Sequence, residues 1–131
     1  MAKVMFEKDG RIGRITLNRP DVMNAIDDDL PCELEAAVAR ANEDGGIHVI
    51  VLSGAGKGFC AGYDLAYYAE ARDGKGFEAT QDMPWDPMKD YAFMMRNTEA
   101  FMSLWRSHIP VIAKVHGSPS PAVPTSRCAR I

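Results

Sequence analysis

His48-Val49-Ile50-Val51-Leu52-Ser53, then Gly54-Ala55-Gly56-Lys57-Gly58, then Phe59-Cys60-Ala61-Gly62-Tyr63-Asp64-Leu65 is the stretch around which the chain is organised. Its first six residues are apolar without strict alternation, the pattern of a strand covered on both faces. The glycines end that strand and let backbone N–H groups come close to a ligand. Asp64-Leu65-Ala66 reads as the start of a helix. A helix N-terminus presents unpaired N–H donors and a positive dipole end, which together suit a developing oxyanion.

Working outward, the glycine loop is tested first against nucleotide binding. It contains no G-K-[ST], so it is not a Walker A loop. A dinucleotide loop needs a helix at once and an acid at the end of a strand further on. Phe59-Cys60-Ala61-Gly62 delays the helix, and no strand precedes Asp73. The nucleotide-binding module therefore stands as a rejected alternative.

On the N-terminal side, Val4-Met5-Phe6 and Ile12 to Leu17 read as strands joined at the Asp9-Gly10 turn signal. In the second strand Ile12, Arg14 and Thr16 alternate with Gly13, Ile15 and Leu17, which predicts one wetter face. Asn18-Arg19-Pro20-Asp21 ends that strand, because Pro20 cannot donate to a ladder and pushes Arg19 to an extended conformation. A helix is expected over 27–43, capped by Asp27 or Asp28, with Pro31 in its first turn and Leu30, Leu34, Ala37, Val38 and Ala41 on one stripe. Asp44-Gly45-Gly46 ends it.

On the C-terminal side, residues 66–87 read as a flexible, substrate-shaping insertion. Met88 to His108 reads as a long helix whose Tyr91, Met94, Met95, Thr98, Phe101, Met102 and Trp105 recur at helical spacing, a stripe expected to be core. Pro110 ends it and opens the strand Val111 to Val115.

The chain has 131 residues, enough for one domain, and is 47% hydrophobic, enough for a core. Net charge is −3 with no basic stripe, which argues against nucleic acid, and no apolar run is long enough for a membrane span. The N-terminus has no signal-peptide pattern. Cys32, Cys60 and Cys128 fit neither a disulfide framework nor a metal site, so a reducing, cytoplasmic setting is expected. His48, His108 and His116 have no metal-ligand spacing and read as surface or loop residues; no metal is expected.

Three segments carry a family resemblance. Cys60-Ala61-Gly62-Tyr63-Asp64-Leu65 resembles the A-G-x-D-[LI] motif of the crotonase (enoyl-CoA hydratase/isomerase) family. Leu17-Asn18-Arg19-Pro20 with Asn24-Ala25 resembles its L-N-R-P-x-x-x-N-A, and Pro110 to Gly117 resembles its K-P-V-I-A-A-V-x-G. The resemblance covers residues 3–117, about the first half of a usual member. It implies an α/β fold, here the truncated first half of a crotonase-like ββα spiral, with strands at 3–7, 11–17, 48–53 and 111–115.

It also implies a function: binding of an acyl-CoA thioester, with hydration of a 2-enoyl-CoA and stabilisation of the enolate. CoA is part of the substrate, and no cofactor is implied. The backbone N–H of Tyr63, the residue after the motif glycine, is then one of two oxyanion donors, its ring bordering the acyl pocket. Met23 and Ala25 line the CoA arm, and Ala61, Gly62, Asp64 and Leu65 complete the substrate site, Asp64 chiefly as a helix cap. The opposing reading makes 22–25 a plain loop in which Asn24 holds backbone groups. Asp21 stands where many members carry a basic residue, which removes one phosphate contact. Cys60 reads as a small buried residue rather than a nucleophile.

The resemblance stops after Gly117. Family members continue with a G-G loop bearing the second oxyanion donor, two glutamates that hold and protonate, and the helices of their trimers and hexamers. Residues 118–131, Ser118 to Ile131, instead carry Pro119, Pro121 and Pro124 among serines and read as a disordered tail. A single-base deletion after Gly117 accounts for this. With wobble bases chosen for the purpose, restoring one T converts the tail to F-A-V-A-G-G-T-D-I-A-L-C-A-D. The alternative is a genuine short protein with a Pro-rich end. Functionally, the alternatives are an inactive fragment or CoA-binding assembly partner, or another crotonase reaction such as isomerisation or thioester hydrolysis.

Overall fold

The computed structural model describes residues 2–70 and 84–117. The tail at 118–131 and most of the insertion over 66–87 lie outside the described residues. Strand β1 (Val4–Asp9) turns at Gly10, whose φ of +60° suits glycine, into β2 (Ile12–Leu17). Helix α1 (Leu30–Glu43) crosses to β3 (Val49–Gly54); then come α2 (Leu65–Glu70), α3 (Pro87–Arg106) and β4 (Val111–Lys114). The sheet runs in the order β1-β2-β3-β4, antiparallel at the first pair and parallel at the other two. Each strand lies within about two residues of its expected place, as the D-G turn, the glycines and Pro110 dictate.

The core sits between the sheet and α1, around Ile15, Leu30, Val38 and Ile50, none more than 1% exposed. Along β2, Gly13, Ile15 and Leu17 are buried and Arg14 is exposed, the wet-and-dry alternation its pattern predicts. Helix α1 starts at Leu30, three residues later than expected. Asp27 still serves as a cap at a distance: its Oδ1 accepts from Leu30 N–H at 3.2 Å, while Asp29, at the N-cap position, makes no side-chain cap. In this turn Asp27 and Asp29 both meet Lys3 Nζ, at 2.7 and 2.6 Å.

Two expectations are corrected. Strand β3 is not covered on both faces among the described residues: Ile50 and Leu52 are buried, Val49, Val51 and Ser53 only half-buried. The expected core stripe of α3 is not its buried face either. Asn97, Ala100 and Leu104 are the buried residues of this helix, whereas Tyr91, Met94, Met95 and Trp105 are exposed. Periodicity located an apolar stripe correctly but could not say which neighbour would meet it.

Asn97 on that buried face is fully inside, and among the described residues neither its amide nitrogen nor its amide oxygen finds a hydrogen-bond partner. An unsatisfied buried amide costs about 1–3 kcal/mol. Asn97→Leu keeps the volume and removes the polar atoms, so it is expected to raise unfolding free energy by roughly 1 kcal/mol or more. Urea unfolding of the two proteins checks this.

Candidate functional site

The site grows from the loop after β2. Pro20–Val22 forms one 3-10 turn, after which Met23 (φ +55°) and Asn24 (φ +56°) adopt left-handed backbone. Asn tolerates this conformation better than most residues because its side chain bonds locally. Asn24 is fully buried and bonds three ways: Oδ1 accepts from Arg19 N–H at 2.8 Å, and Nδ2 donates to Ala55 O at 2.9 Å and Gly58 O at 2.8 Å. It thereby clips the 19–25 loop to the glycine loop that follows β3. Gly54 makes the clip possible, because a Cβ there would lie 2.4 Å from Phe59 O and 2.8 Å from Asn24 Nδ2. Gly117, at φ +106°, closes the other side; a Cβ would lie 2.8 Å from Gly58 Cα.

A second clip runs beside the first. Ala61 N–H donates to Met23 O at 3.0 Å, Ile26 N–H to Gly62 O at 2.8 Å, and Asp64 N–H to Ile26 O at 2.9 Å. The result is a parallel bridge between Ile26 and Tyr63. In such a bridge the flanking residues bond across, and the residue between them turns its own N–H and C=O to the opposite side. The Tyr63 N–H accordingly has no backbone acceptor among the described residues. Gly62 precedes it at φ +94°, a conformation that glycine alone adopts without strain.

Asp64 caps α2, its Oδ1 accepting from Tyr67 N–H at 3.0 Å. Its Oδ2 lies 3.0 Å from Arg19 Nη2, which also stands 3.3 Å from Asp27 Oδ2. The other end of that guanidinium donates to Ala25 O. Asp27, with a side chain 2% exposed, additionally meets Lys3 Nζ at 2.7 Å. Burial pushes the Asp27 carboxyl up, but the hydrogen bonds from Lys3 and Leu30 N–H and the charge of Arg19 outweigh it and hold it below its usual range. Burial likewise opposes the Lys3 charge, yet Asp27 and Asp29 raise it above its ordinary value.

Tyr63 is exposed at the surface, its ring tilted 59° against that of Tyr68 with centroids 6.0 Å apart. The Tyr67 and Tyr68 hydroxyls both donate to the Asp28 carboxylate at 3.1 Å. Burial, together with the Asp28 charge, holds the Tyr68 phenol above its usual range. Three tyrosine rings and the Asp28 carboxylate therefore form one cluster at the start of α2.

The strands β2, β3 and β4 stand near the places that the resemblance implies and run parallel. A family model described as enoyl-CoA hydratase/isomerase matches residues 7–121. The chain belongs to the enoyl-CoA hydratase/isomerase family. A probable enoyl-CoA hydratase of Mycobacterium tuberculosis is 34% identical over 115 residues, which is 88% of this chain and 40% of that protein. One from Mycobacterium leprae is 36% identical over 117 residues, covering 89% and 36%. The crystal structure of an enoyl-CoA hydratase from Mycobacterium smegmatis superposes with a TM-score of 0.75 at 42% identity, over 89% of this chain and 41% of that one. An enoyl-CoA hydratase/isomerase from Xanthobacter autotrophicus Py2 gives 0.75 at 31% identity. The chain spans about two-fifths of the length of these hydratases. The α/β crotonase-like fold read from the motifs is thus the fold of this chain.

The hydratase-type loops bring Met23, Ala25, Ala61, Gly62, Tyr63 and Asp64 together through the second clip. Their exposures differ. Met23, Ala61 and Tyr63 are open, Leu65 is 78% exposed on the first turn of α2, and Ala25 is buried. The Asp64 carboxylate is occupied by the cap and by Arg19. Sequence reasoning missed Arg19, Asp27 and Lys3 as a unit, and Asp28 as the acceptor for two tyrosines. Lys3 and Asp27 lie 24 residues apart, and Asp28 lies 39 and 40 residues from its two tyrosines, beyond any local spacing rule. Among the described residues no group of three metal-ligating side chains converges, and no helix is long and apolar enough to cross a membrane.

Proposed function

We propose that this chain binds an acyl-CoA thioester and offers the Tyr63 backbone N–H to its carbonyl oxygen, contributing one oxyanion donor to hydration of a 2-enoyl-CoA. The observation that carries the reading is the Ile26–Tyr63 bridge, which pins Gly62 and Asp64 and leaves the N–H between them directed outward. Addition of water to the β-carbon sends negative charge onto the thioester oxygen. A fixed amide stabilises that charge without reorganising and without giving up its proton. Asn24 and Gly54 hold the loop, Gly62 supplies the turn, and Met23, Ala25, Ala61 and Leu65 border the substrate. Asp64 serves by capping α2 and anchoring Arg19. CoA is part of the substrate, no cofactor is called on, and a cytoplasmic setting fits the reading.

A second reading is favoured by one observation: the carboxylates around the bridge already have partners, Asp27 and Asp64 with Lys3, Arg19 and backbone donors and Asp28 with the Tyr67 and Tyr68 hydroxyls. On that reading the chain binds acyl-CoA without turning it over alone, and acts as an assembly partner. Isomerisation or thioester hydrolysis would use the same donor with other acids and bases.

Paired substitutions test the backbone claim. Tyr63→Phe keeps the N–H and should leave crotonyl-CoA affinity within about twofold; Tyr63→Pro removes the donor and should weaken binding by about tenfold, one hydrogen bond's worth. Thermal-shift titration reads both, since a ligand of the folded state raises its apparent stability. Equal affinity in the two variants would sink the assignment.

A further inference from the structure

We propose that Asp28 is a positioning residue: through the Tyr67 and Tyr68 hydroxyls it fixes the ring of Tyr63, and the fixed ring orients the acyl group of a bound acyl-CoA. The inference rests on the role proposed above for the Tyr63 amide. Asp27 and Asp29 turn to Lys3, whereas Asp28 between them faces α2. Its Oδ2 accepts from the Tyr67 hydroxyl and its Oδ1 from the Tyr68 hydroxyl, each at 3.1 Å. An ionised carboxylate is acceptor only and has two oxygens, so the two donors do not compete. The Tyr68 ring meets that of Tyr67 edge-on, with centroids 5.2 Å apart and planes at 82°, and that of Tyr63 at 6.0 Å and 59°. Both pairs stand in the range where tilted aromatic rings attract each other. The contacts therefore run from Asp28 to Tyr68 to Tyr63, the residue whose N–H the bridge to Ile26 leaves outward.

The bridge and the relay act on different bonds. The bridge fixes the backbone of residue 63; the relay fixes rotation about its Cα–Cβ bond. Tyr63 is exposed, and an exposed side chain ordinarily exchanges among three staggered positions. Contact with Tyr68 selects one of them. The N–H and the ring leave the residue one Cα apart, so an acyl group whose carbonyl accepts from the N–H has the ring as its neighbour. A Cβ built on the preceding Gly62 would meet nothing within 4 Å, so the space over that glycine is open among the described residues. A freed ring that shared three positions evenly would hold the competent one in about a third of molecules, and affinity falls by that fraction, about threefold. CoA without an acyl group has nothing to set against the ring, so its affinity should not change. That difference separates a positioning role from general loosening of the fold.

The test uses the full 131-residue chain and two variants that break the relay from opposite ends. Asp28→Ala removes both acceptors. Tyr67→Phe with Tyr68→Phe keeps every ring and removes both hydroxyls, and it answers the question should Asp28→Ala fold poorly. Without ligand, the three-bond Hα–Hβ couplings of Tyr63 should have the values of a single staggered position in the unsubstituted chain and intermediate, averaged values in both variants. Calorimetric titration should show crotonyl-CoA binding weakened about threefold in each variant and CoA binding unchanged. Joining Asp28→Ala to the two Phe substitutions should add nothing further, since all three cut one relay. Equal affinity of the unsubstituted chain for crotonyl-CoA and CoA would remove this proposal together with the role of the Tyr63 amide. Four results would remove this proposal alone: averaged Tyr63 couplings already present in the unsubstituted chain, single-position couplings retained in both variants, crotonyl-CoA affinity retained in both, or an equal loss of affinity for CoA, the mark of a merely structural role.

Discussion

Arg19→Met is expected to destabilise the protein by about 3–5 kcal/mol, the range for removing one partner of a buried ion pair. The substitution keeps the aliphatic bulk and deletes the charge. Asp27, 2% exposed at its side chain, would keep Lys3 only, and Asp64 would lose the guanidinium 3.0 Å from its Oδ2. Two half-neutralised carboxylates would then sit in a desolvated pocket, and the Ala25 carbonyl would lose its donor. Arg19→Lys should recover part of the loss, since an ammonium restores charge but not the fork that reaches three acceptors. Guanidinium chloride unfolding of both variants measures the difference.

The same network fixes a pH dependence. Asp27 titrates below its ordinary value when folded, so its contribution is present above the unfolded carboxylate pKa and lost as pH falls through the folded one. Lys3 titrates above its ordinary value of 10.5, so its contribution is full below that pH and lost as pH rises through the folded pKa. Stability from this cluster is therefore greatest between the two ranges. In Arg19→Met the acid loss should begin at higher pH, because the charge that helps hold Asp27 down is gone.

Asn24→Ala should cost about 3–5 kcal/mol, near the upper end for a point substitution, because it removes a hub rather than a contact. Three buried backbone groups, Arg19 N–H, Ala55 O and Gly58 O, would lose their partner at once. The left-handed backbone at φ +56° adds strain once the amide is gone. The loss should show first at the site. Amide exchange at 55–63 is expected to speed up more than at Ile15 or Ile50, since the clip holds the glycine loop and the sheet core does not rely on it. Asn24→Asp keeps the shape yet sets a carboxylate against two carbonyls, and should be no more stable than Asn24→Ala.

Much of the sheet was legible because its signals are local. Asp9-Gly10 marks the hairpin, alternation along β2 marks its wet face, and Pro110 marks the entry to β4. The motif glycines were legible for the same reason: Gly54, Gly62 and Gly117 each meet a steric or φ requirement that only glycine satisfies. Helix α1 was misplaced at its start because Asp27 caps the Leu30 N–H from ahead of the helix while its other oxygen meets Lys3, 24 residues away. The stripe of α3 was misassigned because an apolar pattern records that a surface is to be covered, not by what. At the site, the motifs brought Met23, Ala25 and Ala61 to Asp64 into one neighbourhood. The Arg19–Asp27–Asp64 cluster and the Asp28 acceptor depend on contacts that only the folded chain creates.

The central claim is that an acyl thioester accepts a hydrogen bond from the Tyr63 amide. The measurement that tests it most directly is the 15N–1H correlation spectrum of the protein during titration with crotonyl-CoA. A hydrogen bond to the thioester oxygen should move the Tyr63 amide proton downfield in a saturable way, with smaller changes at Met23 and Ala61 and none at Glu7 on the far strand. Saturable binding that leaves the Tyr63 amide unmoved, or no binding at millimolar crotonyl-CoA, would contradict the account.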